Sequence, residues 1–213
     1  MQGLAIDNLE SGSFIDGYVG ELRRIVDELP RGEIERAIDL LWQAWRADAT
    51  IFVMGNGGSA STASHLACDL AKYTIVGDLP RFKVLGLCDN VPLVSAWTND
   101  SGFGSIFAEQ MRPWLRAGDV LIGISVHGGS GSGDAGPWSQ NLVQAMKLAR
   151  ERGARILGLS GFEGGALREM ADVCLTVPID REPLGTLLVE ACHVVLHHLL
   201  CGALRQRLEA IGA

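Results

Sequence analysis

The stretch "TIFVMGNGGSASTASHLACDL", from Thr50 to Leu70, is the part of this sequence that indicates the fold most directly. It begins with a short apolar run, Thr50 to Met54, which predicts a buried strand. A loop of glycine, asparagine and serine follows from Gly55 to Ser59, and a helical pattern begins at about Ala60. The order strand, glycine-rich loop and helix is typical of the first unit of an α/β fold.

Four further apolar runs follow and alternate with longer segments of helical periodicity. They are "KVLGL" at Lys83 to Leu87, "VLIGIS" at Val120 to Ser125, "RILGLS" at Arg155 to Ser160 and "VCLTVP" at Val173 to Pro178. Strands that alternate with helices pair in parallel, and their runs are apolar throughout where helices cover both faces of the sheet. We therefore expect an α/β fold with a five-stranded parallel sheet in a three-layer αβα arrangement.

The first 49 residues carry two helical patterns, Phe14 to Leu29 and Pro30 to Ala49. We expect them to form an N-terminal helical hairpin, residues 1–49, that packs on residues 50–213 and belongs to the same domain. No repeat or linker divides the sequence further.

Charge and cysteine usage argue against several classes of partner. The 213 residues include 18 Lys and Arg against 25 Asp and Glu, a net charge of −7 without long blocks of either sign. Nucleic acid and membrane surfaces are therefore not expected as partners. The five cysteines form no CxxC pair, so we expect reduced thiols in a cytoplasmic protein. The apolar stretch from Leu187 to Leu204 carries one Glu and three His, which favours a buried helix over a membrane span.

Loops rich in glycine and serine follow the first and third predicted strands, at Gly55 to Ser59 and His127 to Ser139. Glycines let the backbone approach a ligand, serine hydroxyls donate hydrogen bonds, and a following helix adds unpaired N–H groups, which together suit a phosphate. Both loops lie at the carboxyl ends of strands, where parallel sheets bind ligands. The first loop carries neither a P-loop lysine nor a G-x-G-x-x-G spacing, so a small phosphorylated molecule is favoured over a nucleotide there. A structural turn without a ligand is the alternative.

Histidine and carboxylate residues recur at helical spacing in two segments. His65 and Asp69 are four residues apart and share a face of the helix after the first loop, where a surface hydrogen bond is the simpler interpretation. Imidazole and carboxylate groups are costly to bury unless they are paired or bound to metal. Helical geometry alone would pair Glu190 with His197, since seven residues make nearly two turns. The C-terminal apolar run carries four such residues: Glu190, His193, His197 and His198.

Three segments together resemble the sugar-isomerase (SIS) domain family, specifically its phosphoheptose isomerase branch. They are "GNGGSAS…HLACDLAKY" from Gly55, "NDSGFGSIFAEQ" at Asn99 to Gln110 and "GDVLIGIS" at Gly118 to Ser125, and the resemblance extends over nearly the whole chain. It implies a homotetramer with active sites at subunit interfaces. It also implies an aldose–ketose isomerase of a sugar phosphate, acting on sedoheptulose 7-phosphate to give D-glycero-D-manno-heptose 7-phosphate through an enediol.

The resemblance also implies a set of substrate and phosphate contacts. Val126 and His127 interrupt the family's second serine cluster, S-T-S-G-N-S, after its first serine, and an insertion follows. Whether Ser130, Ser132 or Ser139 completes the phosphate pocket stays open, and the inserted glycines could instead enlarge the pocket. The residues implied as contacts are Asn56, Gly57, Gly58, Ser59, Asn99, Asp100, Ser125, Ser130, Ser139 and Glu190.

The family pattern Q-E-x-H-x4-H places Glu190 on its glutamine and His198 on its last histidine. On that register the implied metal ligands are His65, Asp69, Glu190 and His198, with one zinc per site. His197 stays as the alternative to His198, and a metal-free acid/base cluster as the alternative to zinc. The implied catalytic roles are Asp69 as base and His198 as acid. The family has Glu at the position of Asp69, and the shorter side chain puts the rate in question.

Two other functions stay open from the sequence. One is an isomerase for a related ketose phosphate in a specialised sugar pathway, which the altered serine cluster favours. The other is a non-catalytic SIS module that binds a sugar phosphate or a protein. The acid/base residues favour an enzyme, because a binding module does not need them. Within the implied contacts, Asp100 could instead cap the helix that follows it.

Overall fold

The computed structural model describes residues 11–129, 131–133, 136–179 and 184–212. The helices are α1 (Ser11–Asp27), α2 (Arg31–Arg46), α3 (Gly58–Cys68), α4 (Val91–Ser101), α5 (Ile106–Met111), α6 (Gln140–Glu151), α7 (Gly165–Met170) and α8 (Gly185–Gly212). The strands are β1 (Thr50–Gly55), β2 (Lys83–Gly86), β3 (Val120–Ile124), β4 (Ser132–Gly133), β5 (Gly136–Pro137), β6 (Arg155–Gly161) and β7 (Val173–Val177). A π-helical turn, Asp69–Tyr73, extends α3, and a 3₁₀ turn, Phe103–Ser105, precedes α5.

Five strands form one parallel sheet in the order β2-β1-β3-β6-β7. Each of these strands begins at the predicted residue and ends within one residue of the predicted end. The prediction of an α/β fold with a five-stranded parallel sheet is therefore confirmed. The segment from His127 to Ser139 departs from the irregular loop expected there, because β4 and β5 pair antiparallel within it. The glycines of this segment allow the tight backbone turn that so short a β-ladder requires.

The sheet separates two apolar cores, and β1 shows how one strand supplies both. Ile51 and Val53 point into the core formed with α1, α2, α3 and α8. Phe52 and Met54 point into the core formed with α5, α6 and α7. Successive side chains of a strand alternate between faces, so a strand covered on both sides must be apolar at every position. This requirement explains the continuous apolar runs of the sequence.

The strand order places a topological switch point between β1 and β3. The chain leaves β1 for β2 on one side and returns to β3 on the other side of β1. Loops at the carboxyl ends of two such strands diverge and leave a crevice in which α/β proteins bind ligands. The loops at this crevice are the two glycine- and serine-rich segments.

Helix α8 crosses the first core and carries histidines at buried positions. Leu196, Leu200 and Leu204 are fully buried, and so are His193 and His197. By length and composition α8 is apolar enough to cross a membrane, but half of its most apolar window is buried inside the protein. Buried core helices also meet these criteria of length and composition, and the sequence predicts a buried helix for this segment.

Candidate active site

The loop between β1 and α3 is shaped by glycine. Gly57 has φ of 57° and ψ of −126°, a conformation that residues with a Cβ rarely adopt. Helix α3 begins at Gly58 and has no side-chain cap, so its first N–H groups remain available to a ligand. Ser59, in the first turn, is 3% exposed. The loop thus offers backbone donors and a positive helix end at the switch point.

The loop after β3 faces the first loop across a small cavity. The Nδ2 of Asn56 donates to Oδ1 of buried Asn141 at 3.0 Å, and Nδ2 of Asn141 donates back to Oδ1 of Asn56 at 2.8 Å. Ser125 Oγ accepts from the backbone N–H of Gly129 at 3.1 Å, which leaves its hydroxyl proton for another partner. The cavity has a volume of about 190 Å³ and is lined by Asn56, Ser59, Ser125, Val126, His127, Trp138, Ser139 and Glu190.

Glu190 belongs to this cavity and lies against the start of α3. A Cβ built on Gly58 would lie 2.2 Å from Glu190 Oε1, so only glycine leaves room for the carboxylate there. The half-buried carboxylate therefore lies near the positive end of α3, where a negative charge is favoured.

A second group of polar side chains lies farther along α3 and α8. The Asp69 carboxylate is its centre: Oδ2 is 3.4 Å from His65 Nε2, 3.6 Å from His197 Nδ1 and 3.5 Å from His198 Nε2. The three rings also contact one another, with centroids 4.2 to 4.9 Å apart. His198 Nε2 lies 3.4 Å from His65 Nε2. We call these four residues, His65, Asp69, His197 and His198, the His/Asp cluster.

Burial divides the three histidines of the cluster. His197 is fully buried, and its two ring nitrogens have no hydrogen-bond partner among the described residues. Burial, together with the nearby His198 and His65, lowers the pKa of His197 to about 4, so its ring is neutral at physiological pH. The side chains of His65 and His198 are 47% and 52% exposed and remain open to a substrate.

The His/Asp cluster fits a divalent metal. One ligand atom from each of the four residues lies within 4.8 Å of the others. Three imidazoles and one carboxylate are donors that suit such ions, and neutral imidazole is the ligating form. A buried imidazole with two orphaned nitrogens is costly unless something coordinates it. His197 therefore supports metal binding by the cluster, and Glu190 is not among the four.

The sequence profile of the SIS-domain family matches residues 14–161. The chain belongs to the SIS-domain family. A lincomycin biosynthesis protein of Streptomyces lincolnensis, LmbN, is 44% identical over 191 residues, 90% of this chain and 68% of that protein. A phosphoheptose isomerase of Geobacter sulfurreducens is 34% identical over 207 residues, 91% of this chain and 98% of that protein. The solved phosphoheptose isomerase GmhA of Neisseria gonorrhoeae has a TM-score of 0.78 and 30% identity, covering 91% of this chain and 97% of that one.

Two of the residues that the resemblance implies as substrate contacts are found neither in the cavity that Glu190 lines nor in the His/Asp cluster. Asn99 and Asp100 are exposed in the last turn of α4, where Asn99 Nδ2 donates to Asp100 Oδ1 at 2.7 Å. Ser105, and not Asp100, occupies the N-cap position of α5. Ser130 lies outside the described residues. Their contact with a substrate stays a prediction.

The sequence reasoning left three structural features of the site unassigned. Asn141 is fully buried and fixes Asn56, and the available signal was the polar run Ser139-Gln140-Asn141, which resembles the S-G-N end of the family's serine cluster. His127 lines the cavity, although the sequence marked it only as a departure from the serine cluster. The π-helical turn that begins at Asp69 has no evident sequence signal. Such turns are frequently found at functional sites of proteins.

Proposed function

We propose that the chain is an aldose–ketose isomerase of a sugar phosphate, and that its substrate is sedoheptulose 7-phosphate. The SIS-domain relatives named as phosphoheptose isomerases support this activity. We call the cavity lined by Asn56, Ser59 and Glu190, among others, the phosphate-type cavity. The observation within the molecule that carries the proposal is the separation between this cavity and the His/Asp cluster.

That separation matches the length of a heptulose phosphate. Glu190 contacts the start of α3 at Gly58, and His197 contacts His65, so both helices advance by seven residues between the two contacts. Seven residues at about 1.5 Å each span roughly 10 Å. In an extended ketose 7-phosphate, seven bonds of about 1.5 Å separate C2 from phosphorus, which spans roughly 9 Å. A phosphate bound at the loops thus places C1 and C2 at the cluster.

Asp69 and His198 then divide the proton transfers between them. The three imidazole contacts of Asp69 converge on Oδ2, and we assign Oδ1 to remove a proton from C1 of the open-chain ketose. His198 donates a proton to the carbonyl oxygen on C2, which gives the enediol. Asp69 returns its proton to C2, and His198 takes the hydroxyl proton from O1, which gives the aldose. Both groups end in their starting protonation states.

Zinc is the metal we propose for the His/Asp cluster, held by His65, Asp69, His197 and His198, one ion per site. When bound there, it would polarise the substrate's oxygen atoms as a Lewis acid. The chain's own residues still bind the phosphate and orient C1 and C2. The proton transfers assigned to His198 belong to the cluster when His198 is not a zinc ligand, because a protonated imidazole has no lone pair for a metal.

We also propose a homotetramer with active sites between subunits. Helix α4 has no buried residue, and it exposes Val91 by 68% and Leu93 by 37%. The edge strand β2 exposes Leu85 by 44%. Apolar surface of this kind supports association, and a second copy on it would bring substrate close to Asn99 and Asp100. Light scattering on the purified protein at micromolar concentration tests the assembly: a tetramer supports it, and a monomer contradicts it.

Incubation with sedoheptulose 7-phosphate in D₂O, followed by NMR, tests the reaction. The expected product is an aldoheptose 7-phosphate that carries deuterium at C2, because an enediol exchanges the transferred proton with solvent. The Asp69→Asn variant is the control and should form no product. An unchanged ketose with the wild-type protein would refute the substrate assignment.

The relationship to LmbN favours a second candidate, an isomerase for another ketose phosphate in a specialised sugar pathway. LmbN is named for lincomycin biosynthesis and is 44% identical, against 34% for the Geobacter phosphoheptose isomerase. Parallel incubations with six-, seven- and eight-carbon ketose phosphates distinguish the two. The ratio of kcat/KM values identifies the preferred chain length.

A further inference from the structure

The described lining of the cavity at the switch point is short of positive charge for a phosphate ligand. Among the described residues that line it, Glu190 is acidic, none is Lys or Arg, and most of the others are neutral. A phosphate dianion next to the Glu190 carboxylate is opposed by like-charge repulsion. Backbone N–H groups and serine hydroxyls offset part of that cost. Within the described part of the lining, His127 is the one side chain that can carry a positive charge.

We propose that His127 is a phosphate-binding and specificity-determining residue of this site, donating a ring N–H to the phosphate group of the substrate. The inference rests on the proposed function in one respect, that the ligand carries a phosphate. The family resemblance does not supply this residue, because His127 stands where that family has a hydroxyl side chain.

The position of His127 in the fold supports this role. It lies two residues beyond Ser125 at the carboxyl end of β3, beside the loop after β1. Val126 has no side-chain donor, so two hydroxyl groups of the family's serine cluster are missing here. The imidazole N–H of His127 therefore supplies a hydrogen-bond donor at a position where the family's serine cluster has a hydroxyl group.

The His127 ring is held in place by aromatic neighbours. It stacks on Phe162 with centroids 4.5 Å apart and planes at 30°, and it lies 5.7 Å from the Trp138 ring. Phe162 is itself fixed, since a Cβ on Gly185 would lie 2.6 Å from its ring. Stacking uses the face of the imidazole and leaves its nitrogens at the ring edge for hydrogen bonds. Fixing the ring in advance lowers the entropy lost on binding.

Isothermal titration with inorganic phosphate tests the proposal without reliance on turnover. The His127→Phe variant keeps an aromatic ring against Phe162 but has no N–H. We expect its Kd for inorganic phosphate to rise about tenfold or more, since a hydrogen bond to a charged group is lost. The His127→Gln variant keeps a donor and should recover part of the affinity. An unchanged Kd in folded His127→Phe would overturn the proposal.

Steady-state kinetics then separate this role from a structural one. With sedoheptulose 7-phosphate, His127→Phe should raise KM about tenfold and change kcat less than threefold, while binding of unphosphorylated sedoheptulose stays the same. Equal loss for both sugars would contradict a phosphate contact. If no isomerase activity is found but phosphate binding still depends on His127, the proposed function fails and this inference stands. Circular dichroism and thermal melting of each variant identify any that fails to fold, and His127→Gln then decides the question.

Discussion

Glu190 and His197 share one face of α8, yet they contact α3 at places seven residues apart. The Glu190 carboxylate lies against Gly58, and the His197 ring lies 4.6 Å from the His65 ring. The two helices therefore run side by side in the same direction. The same-face relationship expected from the helical period holds, but the residues serve different ends of the site. Glu190 faces the phosphate-type cavity, and His197 completes the His/Asp cluster.

This arrangement predicts which residue holds the metal. The His197→Gln variant should bind zinc more weakly than wild type by more than the 10–100-fold typical of a lost outer-shell partner. The reason is that a neutral, buried imidazole would be lost from a set of four. Competition with a chromogenic chelator gives the affinity, and the visible spectrum of the cobalt-substituted protein reports the coordination number.

The Glu190→Ala variant is the control for that measurement, because it removes both side-chain oxygens that could bind a metal. Glu190 lies outside the His/Asp cluster, so zinc affinity and the cobalt spectrum should both stay those of wild type. A large loss of zinc in Glu190→Ala with little change in His197→Gln would instead support the ligand set implied by the family register.

Gly58 controls the position of the Glu190 carboxylate. In a Gly58→Ala variant the new methyl would meet Glu190 Oε1 at 2.2 Å, so the carboxylate must shift. Because a flexible carboxylate can move, we expect at most about 1 kcal/mol of lost stability but a several-fold weaker affinity for inorganic phosphate. In a Glu190→Ala background the same change should have no effect on phosphate binding. Equal effects in both backgrounds would show that the two residues are not coupled.

Asp69 lies at the centre of the His/Asp cluster. Its side chain is long enough to place Oδ2 3.4 to 3.6 Å from a ring nitrogen of each of the three imidazoles. Asp69→Asn should lower kcat by about 10²–10⁴-fold through loss of the general base. Asp69→Glu restores the residue of the resembling family, yet here the added methylene would push the carboxylate into the rings. We expect a loss of up to about 100-fold in kcat. Wild-type activity in Asp69→Glu would show that the cluster adapts freely.

The strands could be predicted from the sequence because a doubly covered parallel sheet demands apolar side chains at every position. The run from Thr50 to Met54 meets that demand, and β1 follows it to within one residue. The loop at Gly55 to Ser59 could also be predicted, since glycine and serine have few other reasons to cluster after a buried strand. These features are local, so their signals lie in adjacent residues.

Which residues belong to the phosphate-type cavity and which to the His/Asp cluster could not be predicted in the same way. Spacing on α8 places Glu190 and His197 on one face, but it does not say which part of α3 each contacts. That depends on how α3 and α8 slide past one another, which the packing of Leu66, Leu196 and Leu200 in the shared core decides. The spacing likewise does not predict the π-helical turn at Asp69. Both features depend on tertiary packing.

His193 gives a prediction for the stability of the fold at low pH. It is fully buried, and its Nε2 lies 3.1 Å from the backbone oxygen of Ser160. Burial lowers its pKa to about 4, against about 6.5 in the unfolded chain. The unfolded state therefore binds more protons between these values, so the stabilising contribution is fully present above pH 6.5 and is lost as pH falls towards 4. At pH 5 the loss is about 2 kcal/mol in the free energy of unfolding.

Urea denaturation of the metal-free protein at pH 7 and pH 5 measures this effect, with His193→Gln as the comparison. The glutamine amide can still donate to Ser160 but does not titrate, so the variant should lose about 2 kcal/mol less than wild type over the same interval. His197 titrates in the same range in both proteins, because burial lowers its pKa to about 4 as well, and its contribution cancels in the difference. If wild type and variant lose the same amount between pH 7 and pH 5, His193 is not held neutral by the core.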